Sequence, residues 1–229
     1  MIRNLSIRPL VRQLYATRSE AEKALILSCA FSTALITIRI LYTGSNSFRF
    51  LLWNLFLAFL PYALSGWMAR KPSVVTSRWK FTAAFAAWFL FLPNSFYIIT
   101  DLFHLGGDGP TPLWFDTAMI LSFAWNGLVL GVLSVRGMEK LVAIRWNLHS
   151  PWLFLYPLMG LNAFGIYIGR YLRYNSWDVI TNPFALVHDL ADMALHPARY
   201  KPDWGMILCF TLLMITFYNT LRRVSRAVF

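Results

Sequence analysis

The sequence is poor in charged residues and in cysteine. Of its 229 residues, 58% are hydrophobic, only 14% are charged, and two are Cys. Two isolated thiols, Cys29 and Cys209, support no disulfide framework, and we expect both to be buried as small apolar side chains. The sequence contains no glycine-rich phosphate loop, no GxSxG motif and no CxxC motif. None of these signatures therefore indicates an activity.

Long apolar runs dominate the sequence instead. Six blocks of roughly 20 residues, each long enough to cross about 30 Å of hydrocarbon as a helix, lie at about 24–42, 50–69, 80–100, 116–136, 152–171 and 204–221. A soluble core would show apolar residues alternating with polar ones at a helical or strand period. The sequence predicts an all-α membrane protein with about six transmembrane helices in the lipid bilayer.

The net charge of +11 is divided unevenly between the two sides of such a domain. Fifteen Lys and Arg residues fall in the termini and in the loops near 70–80 and 136–145, and five fall in the loops on the other side. Arg39, inside the first block, is expected to extend toward the membrane surface. The positive-inside rule then puts both termini in the cytoplasm. With the basic residues so placed, we expect no nucleic-acid partner.

The chain divides into three predicted segments. These are a basic cytoplasmic membrane-surface segment at 1–22, a single six-helix transmembrane domain at 23–222 and a short basic cytoplasmic tail at 223–229. The first 22 residues are polar and basic, so we expect no cleavable signal peptide. The two halves of the chain show no internal repeat of the kind that many transporters have.

The third apolar block contains a predicted break followed by two ionisable side chains. Pro93 lacks an N–H and Asn94 can hydrogen-bond a freed carbonyl, so we expect the helix to break there. Asp101 and His104 follow, three residues apart and on one helical face. A carboxylate and an imidazole can bind a divalent metal or form a general acid–base pair. The alternative is a polar helix end that meets the lipid headgroups.

A second polar stretch follows the fifth block. Arg170 and Arg173 lie three apart, and Asn175, Trp177 and Asp178 come directly after them. Two guanidinium groups at headgroup depth suit a phosphate or a carboxylate, and an indole can stack on a ring or lie along a lipid. The alternative is local neutralisation of the arginines by Asp178, by Asp101 or by Asp116, which lies at the start of the fourth block and could cap it.

A short amphipathic helix is predicted between Asn182-Pro183 and Pro197. His188, Asp192 and His196 lie four residues apart on one of its faces, with apolar residues elsewhere. Adjacent members of this set could share a metal ion, or the set could be the wet side of the helix. The helix is too short to span a membrane, and we expect it to be interfacial or re-entrant on the outer side.

Two segments within these stretches resemble a family of bacterial integral membrane proteins catalogued as domain of unknown function 1361. They are LPNSFYIITDLFHL at 92–105 and GRYLRYNSWDVITNP at 169–183. The resemblance covers most of the chain and implies a multi-pass protein of the bacterial cytoplasmic (inner) membrane. It implies no activity. Ser95 departs from it, because a small residue such as Ala is expected there. The matching positions include Pro93, Asn94, Asp101, His104, Arg170, Arg173, Asn175, Trp177, Asp178, Asn182 and Pro183.

The two stretches together predict an outward-facing pocket. An enzyme acting on a lipid-linked or headgroup substrate is one hypothesis; a small-anion or lipid binding or transport protein, and a structural subunit of a membrane complex, are the others. Candidate catalytic residues are Asp101, His104 and Asp178; candidate substrate-binding residues are Asn94, Arg170, Arg173, Asn175 and Trp177. Candidate ligands of one divalent metal ion are Asp101, His104, His188 and Asp192.

Overall fold

The computed structural model describes residues 7–106, 111–146, 150–174 and 178–227, and every regular element within them is helical. The elements are α1 (Ile7–Thr43), α2 (Phe50–Arg70), α3 (Pro72–Thr76), α4 (Arg78–Tyr97), the 3₁₀ segment η1 (Ile98–His104), α5 (Leu113–Trp146), α6 (Trp152–Arg170), α7 (Asp178–Thr181), α8 (Pro183–Leu195) and α9 (Lys201–Ala227). The predicted all-α membrane architecture is confirmed.

Six helical segments are long and apolar enough to span a membrane, as predicted. They are Glu22–Thr43, Phe50–Arg70, Arg78–His104, Leu113–Trp146, Trp152–Arg170 and Lys201–Val224. Successive spans run in opposite directions, so their connections fall on two sides. We call the side on which α1, η1 and α6 end the Asp101 side. The opposite side, where α9 ends and α6 begins, is the Glu139 side. The membrane-surface placement of 1–22 and the separate tail at 223–229 stay predictions.

Helix α5 lies at the centre of the domain. It packs against α1, α2, α4 and η1, while α6 packs between α4 and α9. Polar side chains within the spans form hydrogen bonds between helices: Trp88 Nε1 donates to Ser134 Oγ at 2.7 Å, and Asn126 Nδ2 donates to Ser32 Oγ at 2.8 Å. Inside a bilayer no water is available as a hydrogen-bond partner, so bonds between helices satisfy these polar groups.

The third span does not break where the sequence predicts. Pro93 lies inside α4, and the change from α to 3₁₀ geometry comes five residues later, at Ile98. Asn94 donates its side-chain amide to the Phe91 carbonyl at 3.0 Å, within the same helix. Gly165 of α6 leaves room for the proline ring, since a Cβ there would lie 2.6 Å from Pro93 Cγ. The third span therefore stays helical through Pro93 and packs closely against α6 at this point.

Two other expectations need correction. Cys209 is exposed on α9 rather than buried, and Cys29 is only partly buried. The helix α8 begins and ends as predicted, at Pro183 and before Pro197, but the Asn182 side chain makes no capping hydrogen bond. With 13 residues α8 is too short to cross a bilayer.

Helix α5 approaches the third span closely where α4 gives way to η1. A Cβ added at Gly127 of α5 would lie 2.1 Å from Ile98 Cγ2 and 2.7 Å from the Ser95 carbonyl oxygen. The carbonyl is backbone and cannot move aside as a flexible side chain can. The absence of a side chain at this position therefore sets the distance between α5 and the segment that carries Asp101.

We expect Gly127→Ala to lower the stability of the purified protein by about 1–3 kcal/mol, the usual cost of overpacking a close contact. The matched control is Gly160→Ala, where an added Cβ meets no atom within 4 Å. Thermal unfolding of both variants in one detergent measures the difference. Equal melting temperatures for the two variants would show that α5 does not approach η1 this closely.

Candidate functional site

Asp101 is a carboxylate held inside the membrane domain. Its side chain is 1% exposed, and Asn54 Nδ2 of α2 donates to its Oδ2 at 2.8 Å. Its Oδ1 has no hydrogen-bond partner and lies 3.6 Å from Arg170 Nη1 of α6. Desolvation makes an isolated buried carboxylate costly, so the nearby guanidinium is required for Asp101 to remain charged.

Arg170 is surrounded by acceptors that η1 and the last residue of α4 supply. Its Nη2 donates to the Thr100 carbonyl at 2.9 Å and lies 3.2 Å from His104 Nδ1, while Nη1 lies 3.4 Å from the Tyr97 hydroxyl. A carbonyl oxygen has two lone pairs, so Thr100 can accept from Arg170 as well as from the backbone of η1. The local geometry of η1 and the position of Arg170 are therefore coupled.

His104 is the exposed member of the group. Its ring lies 4.9 Å from the Phe50 ring of α2, and its Nδ1 lies 3.2 Å from the Asp101 backbone oxygen as well as from Arg170. Sequence reasoning predicted Asp101 and His104 as one pair and Arg170 as a residue of the other stretch. The structure brings all three together at the ends of two spans.

The remaining predicted substrate-binding and catalytic residues lie elsewhere or outside the described residues. Arg173 is exposed and has a φ of +61°, in the turn that ends α6. Asn94 donates to the Phe91 carbonyl, one turn below the site. Asp178 begins α7 and accepts a hydrogen bond from Thr181 Oγ1 at 3.1 Å. Asn175 and Trp177 lie outside the described residues.

The four predicted metal ligands do not form one cluster. Within residues 7–106, 111–146, 150–174 and 178–227, no group of three or more His, Cys, Asp or Glu side chains is placed to hold a metal ion. His188 is exposed beside Asp189, whereas Asp192 pairs with His196 at 2.9 Å. Arg170 lies against Asp101 and His104, where it supplies the positive charge that a metal would bring. Metal binding by Asp101 and His104 alone stays a prediction.

A second buried ion pair lies on the same side of the domain and was missed. Arg39 of α1 is 3% exposed rather than extended toward the surface, and its Nε donates to Asp116 Oδ1 at 2.8 Å. Thr111 Oγ1 donates to the other carboxylate oxygen at 2.8 Å, and the guanidinium lies 4.3 Å from the Phe48 ring centroid. The signal was present, because an arginine within an apolar span requires a partner.

Asn54 was also missed as a member of the site. The sequence shows only an amide near the start of an apolar block, and such residues commonly hydrogen-bond between helices. Its actual partner, Asp101, lies 47 positions away along the chain. Nothing in the spacing of the two residues indicates that they meet.

We expect Arg39→Met to destabilise the protein by about 3–5 kcal/mol, because it leaves Asp116 buried without its cation. The double variant Arg39→Met with Asp116→Leu removes both charges and should recover much of that loss. Thermal unfolding of the single and double variants measures the coupling. If the losses of the two single variants simply add in the double variant, the two side chains do not interact.

Hydrogen bonds join the polar face of α8 to the residues that follow this helix. Tyr200 donates to Asp192 Oδ2 at 2.5 Å, and His196 Nδ1 lies 2.9 Å from Oδ1. The hydrogen bond from Tyr200, with those from His196 and the charges of His196 and Arg199, holds the pKa of Asp192 below its ordinary value. The ionised carboxylate therefore contributes to holding α8 in place.

We expect protection of the α8 amides from hydrogen exchange to fall at low pH. A carboxyl whose pKa is lowered on folding stabilises the fold above its ordinary pKa of 3.8, and this contribution is lost as pH falls through the lowered value. The measurement is the protection factor of α8 between pH 7 and pH 3, corrected for intrinsic exchange rates. Asp192→Asn should remove the dependence; an unchanged dependence in that variant would assign it to another group.

Comparison with known proteins gives a family and no activity. Residues 53–217, from early α2 to late α9, match a family model described as Protein of unknown function (DUF1361). The chain has no significant match among curated proteins or among solved structures. The match includes Asp101, His104 and Arg170 and leaves α1 with Arg39 outside it.

Proposed function

We propose that this chain, which belongs to the family described as Protein of unknown function (DUF1361), binds the anionic headgroup of a lipid or lipid-linked molecule on the Asp101 side. The observation that carries the proposal is the 3.2 Å contact between Arg170 Nη2 and His104 Nδ1. It joins a permanent cation to an exposed imidazole at the end of a membrane span.

The contact with Arg170 determines which ring nitrogen of His104 carries the proton. An arginine N–H can only donate, and a charged donor forms the stronger hydrogen bond, so Nδ1 accepts from Arg170 rather than donating to the Asp101 carbonyl. In a neutral imidazole the other nitrogen then carries the proton. His104 Nε2 is therefore a donor, suited to a phosphate or carboxylate oxygen and unsuited to the role of general base.

Arg170 and His104 lie at the ends of their spans, where a lipid headgroup would also lie. Arg170 is the last residue of its span, and Arg173 continues past it as an exposed cation. Phe103 is 58% exposed and Trp114 is 70% exposed on the same side, as expected of aromatic side chains at the level of the lipid headgroups. The positive-inside prediction makes this the outer side of the inner membrane.

Catalysis at the same site is the second candidate, and the bare Oδ1 of Asp101 is the observation that favours it. An intramembrane carboxylate with an unsatisfied oxygen is a functional-site candidate by default. A substrate would reach it only if Arg170 moved, because the guanidinium lies at the carboxylate's free oxygen. Binding needs no such movement and is the simpler conclusion. A catalytic role for Asp178 stays a prediction.

We expect Arg173→Gln and His104→Phe each to weaken binding of phosphatidylglycerol about tenfold, since a hydrogen bond to a charged group is worth about 1.5 kcal/mol. Native mass spectrometry of the purified protein, titrated with phosphatidylglycerol or phosphatidylcholine, measures the binding. His104→Phe keeps the aromatic contact with Phe50 while it removes the N–H donor. Wild-type protein should prefer the anionic lipid.

The control is Arg199→Gln, which removes another exposed cation from the same side and should bind as wild type does. Competition by inorganic phosphate distinguishes a site for the free anion from one that needs the lipid. Wild-type binding by both Arg173→Gln and His104→Phe would exclude the site. A divalent ion that co-purifies with wild-type protein and is lost in Asp101→Asn would instead support metal-dependent catalysis. Loss of a co-purifying protein in the site variants would support a structural subunit.

A further inference from the structure

Helix α8 carries an apolar face that its own protein leaves uncovered. Phe184, Val187 and Leu195 are 88%, 63% and 76% exposed. At about 100° per residue they fall within about 80° of one another, with Ala191 between them. Three large apolar side chains on one helical face form a continuous strip rather than scattered surface residues.

A different apolar stripe attaches α8 to the domain. Leu186 and Met193, seven residues apart, are 9% and 2% exposed, and Met193 belongs to the main hydrophobic core. This stripe lies roughly opposite Phe184 on the helix. The helical wheel drawn from sequence merges both sets into one apolar surface. The structure separates them into a stripe that packs on protein and a strip that faces away from it.

The polar residues occupy the remaining sector. His188, Asp192 and His196 lie between the exposed apolar strip and Asp189, and the two His side chains are 83% and 61% exposed. Seen along its axis, α8 thus has three sectors of about 120° each: one toward protein, one polar, and one apolar and exposed. A helix with these three sectors fits a line where protein, water and hydrocarbon meet.

The middle and the last turn of α8 are hydrogen-bonded to residues that flank two membrane spans. Tyr174, four residues past the end of α6, donates to Asp189 Oδ2 at 2.9 Å, and Tyr200, just before α9, donates to Asp192. Trp204, in the first turn of α9, is 37% exposed and stacks on Phe164 at 6.1 Å between ring centroids. A tryptophan at this place is typical of the membrane–water interface.

We propose that α8 lies flat in the membrane interface on the Asp101 side, with Phe184, Val187 and Leu195 inserted among lipid acyl chains and His188 and His196 facing water. Helix α8 lies along the chain between α6 and α9. These two spans expose apolar side chains of their own, with Leu161 of α6 55% exposed and Leu208 of α9 61% exposed. The occupant is therefore the leaflet that already surrounds the domain. The proposal is independent of headgroup binding at Arg170.

Single cysteines test the proposal in a background that lacks the native thiols through Cys29→Ser and Cys209→Ser. Phe184→Cys, Ala191→Cys and Leu195→Cys report the strip, and His188→Cys and His196→Cys are the matched controls on the polar face. Each is labelled with an environment-sensitive fluorophore and reconstituted into phosphatidylcholine–phosphatidylglycerol vesicles. Lipids that carry a quencher near the start of the acyl chain should quench the strip positions several-fold more strongly than the controls.

Ala191→Cys is a nearly isosteric change, so it keeps the test informative if a larger substitution disturbs the fold. Its position lies in the centre of the strip. Equal labelling of strip and control positions by a water-soluble maleimide, with no quenching by lipid, would overturn the proposal. Strip positions protected from maleimide but not quenched by lipid would also overturn it, and would indicate that a second copy covers the strip. Disulfide cross-linking between copies through Ala191→Cys would then identify that interface.

Discussion

The arrangement of the Asp101 side depends on keeping a carboxylate and a guanidinium inside an apolar domain. Asp101 and Arg170 lie 3.6 Å apart and are 1% and 16% exposed. Removing both from water costs more than a bare Coulomb attraction returns, so additional hydrogen bonds must surround them. The Thr100 carbonyl of η1, which accepts from Arg170, and the amide of Asn54, which donates to Asp101, supply those bonds. Such a pair contributes a defined geometry more than it contributes stability.

Close packing makes that geometry possible. Gly127 lets α5 approach the start of η1, and Gly165 admits the Pro93 ring against α6. Both contacts bear on the one span that carries Asp101. The span therefore reaches the site at a position determined by its two neighbours, and the final turn can depart from α geometry without loosening the domain. The contact of Arg170 with His104 depends on this position, because the two side chains come from different spans.

The sequence predicts the spans well and the contacts between them poorly. Apolar runs of span length have one stable solution in a bilayer, and an Asn-Pro pair followed by a later proline delimits α8. The expected break at Pro93 was wrong, since α4 continues through the proline and its ring packs against Gly165 of α6. Asp101, His104 and Arg170 could be predicted because charged groups are rare and costly in such a chain. Their partner Asn54, and the partner of Arg39, could not, since pairing between helices leaves no trace in local spacing.

The family match begins within α2, whereas the cation that neutralises Asp116 comes from α1. Asp116 therefore lies within the matched residues and its counter-charge lies outside them. A relative without a basic residue at the position of Arg39 faces a physical choice at Asp116: a neutral side chain, or a basic residue from another element. Substitutions at these two positions should consequently be correlated among relatives that have both helices.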